Sequence, residues 1–311
     1  MKDEQQVAGG AEAQPFRAGF VAIVGRANVG KSTLLNQLLG IKLSPVSPRP
    51  HTTRHKLLGV LTEEAYQVAF LDTPGYLARS RDWLDSTMVH AAADALEEAD
   101  LVVLVAEPRP AGDVERRFIE QLRRLGKPAI LALNKVDLVR KPRLLPVIQE
   151  YSQAHDFREV VPVSALQEDG LDRLLEAVVK HLPEGEPLFP PDTVTDRSER
   201  FLVSETIREK VYQLYGQEVP YQVAVGIDEF REGGGEEGRR DYIRATIYVD
   251  KESQKGILVG AGGQALKEVG VQARKDIEEM LGRAVYLELW VKTHPRWRKQ
   301  PHFIQRELEQ G

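Results

Sequence analysis

Residues 25–32, with the sequence GRANVGKS, constrain the fold more than any other part of the chain. They follow a short β-branched run at residues 20–24 and precede residues 33–39, whose apolar side chains have helical spacing up to a glycine at position 40. The octapeptide fits the pattern G-x-x-x-x-G-K-[ST], a loop that joins a strand to a helix and wraps round phosphate groups. This context predicts an α/β domain with the loop at the carboxyl end of its first strand.

The residue types in this loop suit a triphosphate. Glycines allow backbone conformations and close approaches that a Cβ atom would prevent. Backbone N–H groups at the start of the helix direct partial positive charge at an anion. Lys31 can reach the β- and γ-phosphates, and the Ser32 hydroxyl can ligate Mg²⁺. The predicted phosphate-binding residues are Gly25, Asn28, Val29, Gly30, Lys31, Ser32 and Thr33.

Strand-like and helix-like segments alternate through the first part of the chain, which predicts parallel βαβ units and a doubly wound sheet. The expected strands are residues 20–24, 68–71, 101–105, 129–133 and 160–163, and the expected helices are residues 33–39, 83–96, 114–125, 145–154 and 171–181.

A proline- and acid-rich stretch at residues 182–192 marks a domain boundary, and the element order changes after it. A helix, two strands, a short apolar turn, a further helix and a strand predict a small α+β domain. The expected elements are a helix at 200–214, strands at 219–230 and 242–249, a helix to about residue 281 and a strand at 285–291. The chain is therefore divided into a flexible arm (1–17), a nucleotide-binding domain (18–182), a linker (183–196), the α+β domain (197–293) and a basic tail (294–311).

The tetrapeptide DTPG, residues 72–75, follows a predicted strand. The Asp72 carboxylate can hold Mg²⁺ through water, and the Gly75 N–H can approach a γ-phosphate and sense its loss. Taken alone, the tetrapeptide is more typical of an ordinary turn. In the loop before it, a threonine can reach both Mg²⁺ and the γ-phosphate; we favour Thr53, with Thr52 as the alternative. The predicted metal ligands are thus Ser32, Thr53 and Asp72, and the predicted catalytic groups are Lys31, Thr53 and Gly75.

The tetrapeptide NKVD, residues 134–137, follows another predicted strand and indicates guanine. Guanine presents two adjacent donors, N1–H and the exocyclic amine, and the Asp137 carboxylate can accept both. Adenine has an acceptor at N1 and would be repelled. Asn134 can bond the base edge or tie loops together, and the stem of Lys135 can cover the base face.

The tripeptide VSA at residues 163–165 also ends a predicted strand. A backbone N–H of Ser164 or Ala165 can donate to guanine O6. All four motifs lie where open α/β sheets bind ligands, at the carboxyl ends of parallel strands. Their order and spacing resemble those of the TRAFAC GTPases, so we expect GTP binding and hydrolysis. Tyr76 stands where Ras-like enzymes place a water-orienting glutamine, which predicts slow intrinsic turnover with water positioned by backbone groups or by a partner.

In the second domain, residues 260–263 form the sequence GAGG, which fits the G-x-x-G turn with which KH domains clamp a nucleic-acid backbone. The centre of this turn is neutral, so positive charge must come from elsewhere. Trp297 in the tail can stack on a base or pack onto the domain. The predicted RNA-binding residues are Gly260, Ala261, Gly262, Gly263, Lys267, Arg274, Lys275, Lys292, Arg296, Trp297 and Arg298.

Net charge, cysteine content and the length of apolar runs exclude several classes of function. The net charge of −5 means that RNA binding must come from a local basic patch. The chain has no cysteine, which excludes disulfides, thiolate zinc sites and a cysteine nucleophile. The sequence has neither the apolar stretch of a secretory signal nor a run long enough to cross a bilayer, so we expect a cytoplasmic protein.

The combination of motifs resembles the Era family of bacterial ribosome-assembly GTPases over residues 18–300. Ala27 departs from the more usual proline. The resemblance is carried by GRANVGKS (25–32), HTTR (51–54), DTPGY (72–76), NKVD (134–137), SAL (164–166), ILVGAGG (257–263), ARKDIEEM (273–280) and LELWVK (287–292).

This resemblance implies a P-loop GTPase domain followed by a type II KH domain. It implies GTP/GDP and Mg²⁺ as ligands, and binding near the 3′ end of 16S rRNA during 30S subunit assembly, with hydrolysis switching domain arrangement and RNA affinity. Peripheral contact with the inner face of the cell membrane and a monomeric state are further expectations. Likeness to potassium-stimulated GTPases makes Asn28 a candidate K⁺ ligand, or it stabilises the loop. Two alternatives stay open: an RNA-binding module with GTP as a static ligand, and a GTPase acting on a protein or membrane partner.

Overall fold

A computed structural model describes residues 15–49, 52–75, 83–233 and 240–306. The predicted arm falls outside these residues except for positions 15–17. In chain order the elements are β1 (Arg17–Gly25), α1 (Lys31–Leu39), β2 (Leu57–Thr62), β3 (Tyr66–Asp72), α2 (Trp83–Glu98), β4 (Leu101–Ala106), α3 (Asp113–Leu125), β5 (Ala129–Leu133), α4 (Leu144–Ala154), β6 (Glu159–Pro162), α5 (Leu171–His181), α6 (Glu199–Leu214), β7 (Val223–Arg231), β8 (Asp241–Val249), α7 (Glu252–Val259), α8 (Gln264–Leu281), β9 (Val285–Thr293) and α9 (Pro301–Ile304).

The first domain is built on a six-stranded sheet in the order β2-β3-β1-β4-β5-β6. Five strands are parallel, as predicted, and their β-branched and leucine side chains are buried on both faces because helices cover both. Helices α1 and α5 pack on one face and α2, α3 and α4 on the other. The carboxyl ends of β1, β3, β5 and β6 therefore meet at one edge, which is where the sequence motifs lie.

Strand β2 was not predicted from the sequence, and it pairs antiparallel with β3. A short turn joins the two strands, in which the Glu63 N–H donates to the Tyr66 carbonyl at 2.9 Å. Gly59 lets α1 pack closely on β2, since a Cβ atom there would lie 2.6 Å from Leu39 Cδ1. The outer edge of β2 is covered by the linker, where the Val60 N–H donates to the Val194 carbonyl at 2.8 Å.

The second domain has a three-stranded sheet in the order β7-β8-β9, with β7 antiparallel and β9 parallel to β8. Helices α6, α7 and α8 bury one face of this sheet. Two local predictions were wrong. Residues 220–222 form a short helical turn, so β7 begins at Val223, and residues 252–259 form the full helix α7 where only an apolar turn was predicted.

The tail after β9 packs between the domains. Trp297, Phe303 and Ile304 form a small apolar cluster with Leu84 of α2 and Ala224 of β7. Within the described ranges, no helix combines the length and apolar character needed to cross a membrane.

Candidate functional site

The phosphate loop turns sharply between β1 and α1, and two of its glycines are required by space as well as by conformation. Gly25 has a φ of 151° and Gly30 a φ of 96°, both outside the range that other residues prefer. A Cβ atom would lie 2.3 Å from the Val105 carbonyl oxygen at Gly25 and 2.3 Å from Asn134 Nδ2 at Gly30. Helix α1 begins immediately afterwards at Lys31, so its N-terminal N–H groups face the loop.

Lys31 is buried inside this loop. Its Nζ donates to the carbonyl oxygens of Gly25 and Arg26, each at 3.2 Å. Burial lowers the pKa of Lys31 from its ordinary value to about 8, against the opposing charge of Asp72. A cation held within the loop is placed to bind phosphate oxygens.

Oxygen atoms from three elements converge beside the start of α1. Ser32 Oγ donates to Asp72 Oδ2 at 2.9 Å and lies 2.8 Å from Thr53 Oγ1, and Ser44 Oγ donates to the same carboxylate oxygen at 2.7 Å. Burial raises the pKa of Asp72, against the effects of Lys31, Ser44 and Ser32. The other oxygen, Oδ1, is buried and has no hydrogen-bond partner among the described residues. A set of oxygen ligands in which one carboxylate oxygen has no partner fits Mg²⁺. Ser44 was not predicted from the sequence as a member of this set.

The two candidate threonines point in different directions. Thr52 Oγ1 lies 2.6 Å from Ser47 Oγ and donates to the Arg49 carbonyl at 2.9 Å, so its hydroxyl is used within its own loop. Thr53 is the residue beside Ser32. Of the two threonines, only Thr53 has its hydroxyl beside Ser32 among the described contacts, so its assignment as the metal-binding threonine stays the prediction.

A cleft opens in front of Lys31, Ser32 and Thr53. Gly75 closes one side by packing against the loop, and a Cβ atom there would lie 2.8 Å from Ala27 Cα. Asn28 donates its amide to the Pro48 carbonyl at 2.8 Å and so ties the phosphate loop to the segment that carries Thr53. Tyr76, predicted to lie where the attacking water is oriented, falls outside the described residues.

Asn134 is buried and joins three loops. Its Nδ2 donates to the Val29 carbonyl at 2.8 Å, while its Oδ1 accepts from the N–H groups of Lys135 and Ala165 at 2.8 and 2.9 Å. Of the two roles left open for Asn134, tying the loops together is the one that the structure displays. The Ala165 N–H, one of those considered for guanine O6, is used in this network.

The remaining residues that were predicted to recognise the base lie together at the same edge. Ser164 Oγ donates to Asp137 Oδ1 at 2.6 Å, which orients a carboxylate that is exposed to solvent. Lys135 has a φ of 65° and its Nζ donates to the Asn28 carbonyl at 2.6 Å. The side chain therefore runs from the NKVD loop to the phosphate loop.

Glu107 is a site residue that the sequence analysis missed. It follows β4 and forms ion pairs through both carboxylate oxygens. Oε1 lies 2.9 Å from Lys135 Nζ, and Oε2 lies 2.9 Å from Arg26 Nη2 and 3.2 Å from Arg109 Nε. Although partial burial acts to raise the pKa of Glu107, Lys135, Arg26 and Arg109 hold it below its ordinary value. A signal existed, because Glu107 is polar and lies just after a predicted strand, as Asp72 and Asn134 do.

In the second domain, the GAGG turn joins α7 to α8. Three of its residues have positive φ, namely Gly260 at 71°, Gly262 at 58° and Gly263 at 79°. Beside the turn lies an open groove between α8 and β9. This α8–β9 groove is lined by Gly263, Leu266, Lys267, Gly270, Val271, Arg274, Leu287 and Leu289.

The structure brings only some of the predicted RNA-binding residues to this groove. Lys267 and Arg274 lie two helical turns apart on one face of α8 and line it, whereas Lys275, Lys292 and Arg296 are not among its lining residues. Arg298 donates to the Tyr221 carbonyl at 2.8 Å and pairs with Asp85 at 3.0 Å.

Trp297 requires a correction. Its side chain is 0% exposed, and its indole N–H donates to the Gln222 carbonyl at 3.0 Å. An indole buried in this way has no free ring face for a base to stack on. Of the two roles considered, packing onto the domain is the one observed.

Comparison with known proteins matches both domains. A family model described as 50S ribosome-binding GTPase matches residues 20–135, and a KH domain model matches residues 218–298. GTPase Era of Lactobacillus helveticus is 41% identical over 94% of this chain and 96% of its own length, and GTPase Era of Trichlorobacter lovleyi is 45% identical over 94% and 97%. The chain belongs to the Era family.

Solved structures of Era agree over nearly the whole length. A crystal structure of Era in complex with MgGDPNP and nucleotides 1506–1542 of 16S ribosomal RNA has a TM-score of 0.89 at 43% identity, covering 94% of this chain and 98% of that one. A tyrosine-to-alanine variant of Aquifex aeolicus Era bound to GDP and AlF₄⁻ has a TM-score of 0.87, also at 43% identity, covering 94% and 99%. The predicted fold class, a P-loop GTPase domain followed by a KH domain, is confirmed, and this Era-family chain is a GTPase.

Proposed function

We propose that this chain is a Mg²⁺-dependent GTPase that binds 16S rRNA near its 3′ end through its KH domain and acts in assembly and maturation of the 30S subunit. One observation carries the proposal: nearly the whole chain matches an Era that holds MgGDPNP and nucleotides 1506–1542 of 16S rRNA at the same time. Both ligands have a candidate site here, the cleft at the phosphate loop and the α8–β9 groove.

At the nucleotide, the chain contributes position and charge. Phosphoryl transfer needs little covalent chemistry from the protein, so loop N–H groups and Lys31 act by holding the phosphates and stabilising developing charge. Ser32, Thr53 and Asp72 would hold Mg²⁺, which neutralises charge on the β- and γ-phosphate oxygens. Asp137 accepts the two donors of guanine, and Gly75 senses the γ-phosphate.

We expect the positioning of the attacking water to limit the rate of GTP hydrolysis. With tyrosine at position 76, the chain lacks the glutamine that orients water in Ras-like enzymes, so we expect slow intrinsic turnover. Asn28 is proposed as a K⁺ ligand beside its observed contact with the Pro48 carbonyl. Hydrolysis measured in matched KCl and NaCl separates the two roles, because equal rates would leave Asn28 with the loop contact alone.

RNA binding is proposed for the α8–β9 groove. Glycines in the turn allow phosphates to approach the backbone, Lys267 and Arg274 supply charge, and the apolar floor accepts unstacked bases. We propose further that hydrolysis changes the domain arrangement and with it RNA affinity. The chain would then act as a monomer in the cytoplasm, where 30S subunits assemble.

Crosslinking and sequencing of bound RNA, with and without a non-hydrolysable GTP analogue, tests the function. We expect 16S 3′-end reads that depend on the nucleotide and disappear in Lys267→Ala/Arg274→Ala. Lys275→Ala is the matched control, since this neighbouring cation does not line the groove. Recovery of 16S RNA regardless of nucleotide would support the static-ligand alternative, and recovery of no RNA would favour a protein or membrane partner.

The catalytic role of Lys31 in GTP turnover is tested separately from RNA binding. Lys31→Ala should abolish multiple turnover of GTP, because the phosphates lose the one side-chain cation that the loop encloses. Wild-type rates in that variant would contradict the proposed catalytic role.

A further inference from the structure

The segment that carries Thr53 contacts both domains, and its contacts with the KH domain lie on both sides of Thr53. The Thr52 carbonyl accepts a hydrogen bond from Arg208 Nη2 of α6. On the other side of Thr53, the Arg54 guanidinium donates to the Val223 carbonyl at 2.7 Å and to Tyr212 Oη at 3.0 Å. Both immediate neighbours of Thr53 are thus held by residues that lie after the linker.

Arg208 is itself fixed. Its side chain is 1% exposed, its Nε donates to Glu205 Oε1 at 2.7 Å, and its Nη2 bonds the second oxygen of Glu205. The two residues are three apart on α6, so this bidentate pair sets the direction of the guanidinium. The buried side chains of Ile207 and Val211 tie the helix to the core of its own domain.

Further contacts join the same helix to the preceding part of this segment. The Val46 N–H donates to Glu209 Oε2 at 3.2 Å, and Gln213 donates to the Val46 carbonyl at 2.9 Å. Lys42 pairs with Glu209 at 2.8 Å and with Asp276 of α8 at 2.6 Å. Helix α6 therefore contacts this segment at Lys42, Val46, Thr52 and Arg54.

We propose that Arg208 is a positioning residue for GTP hydrolysis. By holding the Thr52 carbonyl, it fixes the backbone so that the Thr53 hydroxyl lies beside Ser32. The inference rests on the proposed role of Thr53 at the Mg²⁺ and γ-phosphate. It makes α6, rather than the linker, the connection between the nucleotide site and the KH domain. Thermodynamic linkage makes this coupling reciprocal. A nucleotide whose binding requires Thr53 favours the docking of α6 on the Thr53 segment, and RNA that displaces α6 weakens the contact that positions Thr53.

The test compares variants of the full-length protein with Mg²⁺. Arg208→Met alone would leave Glu205 buried without a partner, so the main variant is Arg208→Met/Glu205→Met, which replaces a buried ion pair by apolar groups. Arg208→Lys keeps a cation with hydrogen-bond donors but loses the planar bidentate fork of the guanidinium. Arg283→Met is the control for loss of an ion pair inside the KH domain, because Arg283 pairs with Glu199 and Asp241 there. It leaves the buried Asp241 carboxylate without its cation, so its folding is verified together with that of the double variant.

We expect kcat for GTP to fall about tenfold or more in the double variant, as loss of a charge-assisted hydrogen bond predicts. Affinity for a fluorescent GDP should stay within about twofold, because GDP binding does not need Thr53, while affinity for a GTP analogue should fall. Arg208→Lys should restore part of the rate, and Arg283→Met should hydrolyse GTP at the wild-type rate.

A folded double variant with wild-type kcat would overturn the inference, as would equal losses of GDP and GTP-analogue affinity, which indicate damage to the fold. If the double variant does not fold, the inference is tested with Arg208→Lys by measuring kcat and by comparing its affinities for GDP and the GTP analogue. Thr53→Ala separates this inference from the proposed function. If Thr53→Ala slows hydrolysis and the Arg208 variants do not, only the inference fails; if Thr53→Ala has no effect, the proposed metal site itself is wrong.

Discussion

Asn134 shows how one amide can organise a nucleotide site. It holds the phosphate loop through the Val29 carbonyl and the two base-recognition loops through the N–H groups of Lys135 and Ala165. A buried amide with all these bonds made is rigid, whereas each bond left unmade would cost free energy. The amide is therefore fully engaged in these loop contacts, and the proposed reading of the base falls to Asp137, whose carboxylate is exposed and oriented by Ser164.

Asp137→Asn should change the base that the site prefers. The substitution replaces one acceptor oxygen by an amide donor, which opposes the exocyclic amine of guanine and suits the carbonyl that xanthine has there. We expect GTP affinity to fall about 10- to 100-fold, the range for a lost hydrogen bond to a charged group, and xanthosine triphosphate to bind better than GTP. Calorimetry with both nucleotides checks this, and an unchanged preference would contradict the assignment of Asp137.

Gly30→Ala should remove nucleotide binding. The new methyl group would lie 2.3 Å from Asn134 Nδ2, at a φ of 96° that alanine avoids, so either the loop or Asn134 must move. Affinity for GTP and GDP should fall together by about 100-fold or more, because a displacement of this size breaks the loop network. Gly40→Ala is the control: it also has positive φ, but no atom lies within 4 Å of the added carbon. We expect it to bind GTP normally and to lose about 1 kcal/mol of stability.

At the scale of elements, the sequence predicted those whose signal is local. The parallel strands are continuous apolar runs, and α1, α3 and α5 have helical spacing with glycine beside an end, so each could be recognised within its own window. Strand β2 could not, because the apolar run at residues 57–62 becomes a strand only by pairing with β3.

The parts of the site that were missed depend on tertiary neighbours in the same way. Glu107 matters because Arg26, Arg109 and Lys135 converge on it from other loops. Neither the burial of Trp297 nor the approach of Arg208 to Thr52 leaves a trace in residue spacing, since both contacts cross between domains. Motifs therefore located the phosphate loop and the GAGG turn, while the contacts that connect them required the structure.

The GAGG turn can be tested by charge. Gly262→Asp places a carboxylate where we propose that RNA phosphate approaches; the site has open space and a φ of 58° that aspartate tolerates. RNA affinity should fall about tenfold or more through repulsion, with the RNA-free GTPase rate unchanged. Gly282→Asp at the far end of α8 has a similar φ of 66° and equal space, and should bind RNA normally. Equal losses in both variants in a filter-binding assay would argue against the groove.

At the scale of the whole molecule, the two domains are joined at several places besides the linker. Helix α6 contacts the segment that carries Thr53, and the tail binds α2, which follows Gly75 in the chain. In the tail, Arg298 pairs with Asp85 of α2 while also bonding the Tyr221 carbonyl of the KH domain. The segment that carries Thr53 and helix α2 are therefore both in contact with the KH domain or the tail, and interdomain packing becomes part of the stability of each.

Trp297→Ala should reveal this packing as a loss of stability rather than a specific loss of RNA binding. The indole is fully buried against Leu84 and Phe303, and truncating a buried aromatic side chain costs about 3–5 kcal/mol. Trp290→Ala, whose indole is 53% exposed, should cost less than about 1 kcal/mol. Urea midpoints of the full-length variants measure both, and RNA affinity is compared at a temperature where each is folded. If Trp297→Ala kept wild-type stability but lost RNA affinity, the tail would be a direct RNA contact and its packing between the domains would not be its main role.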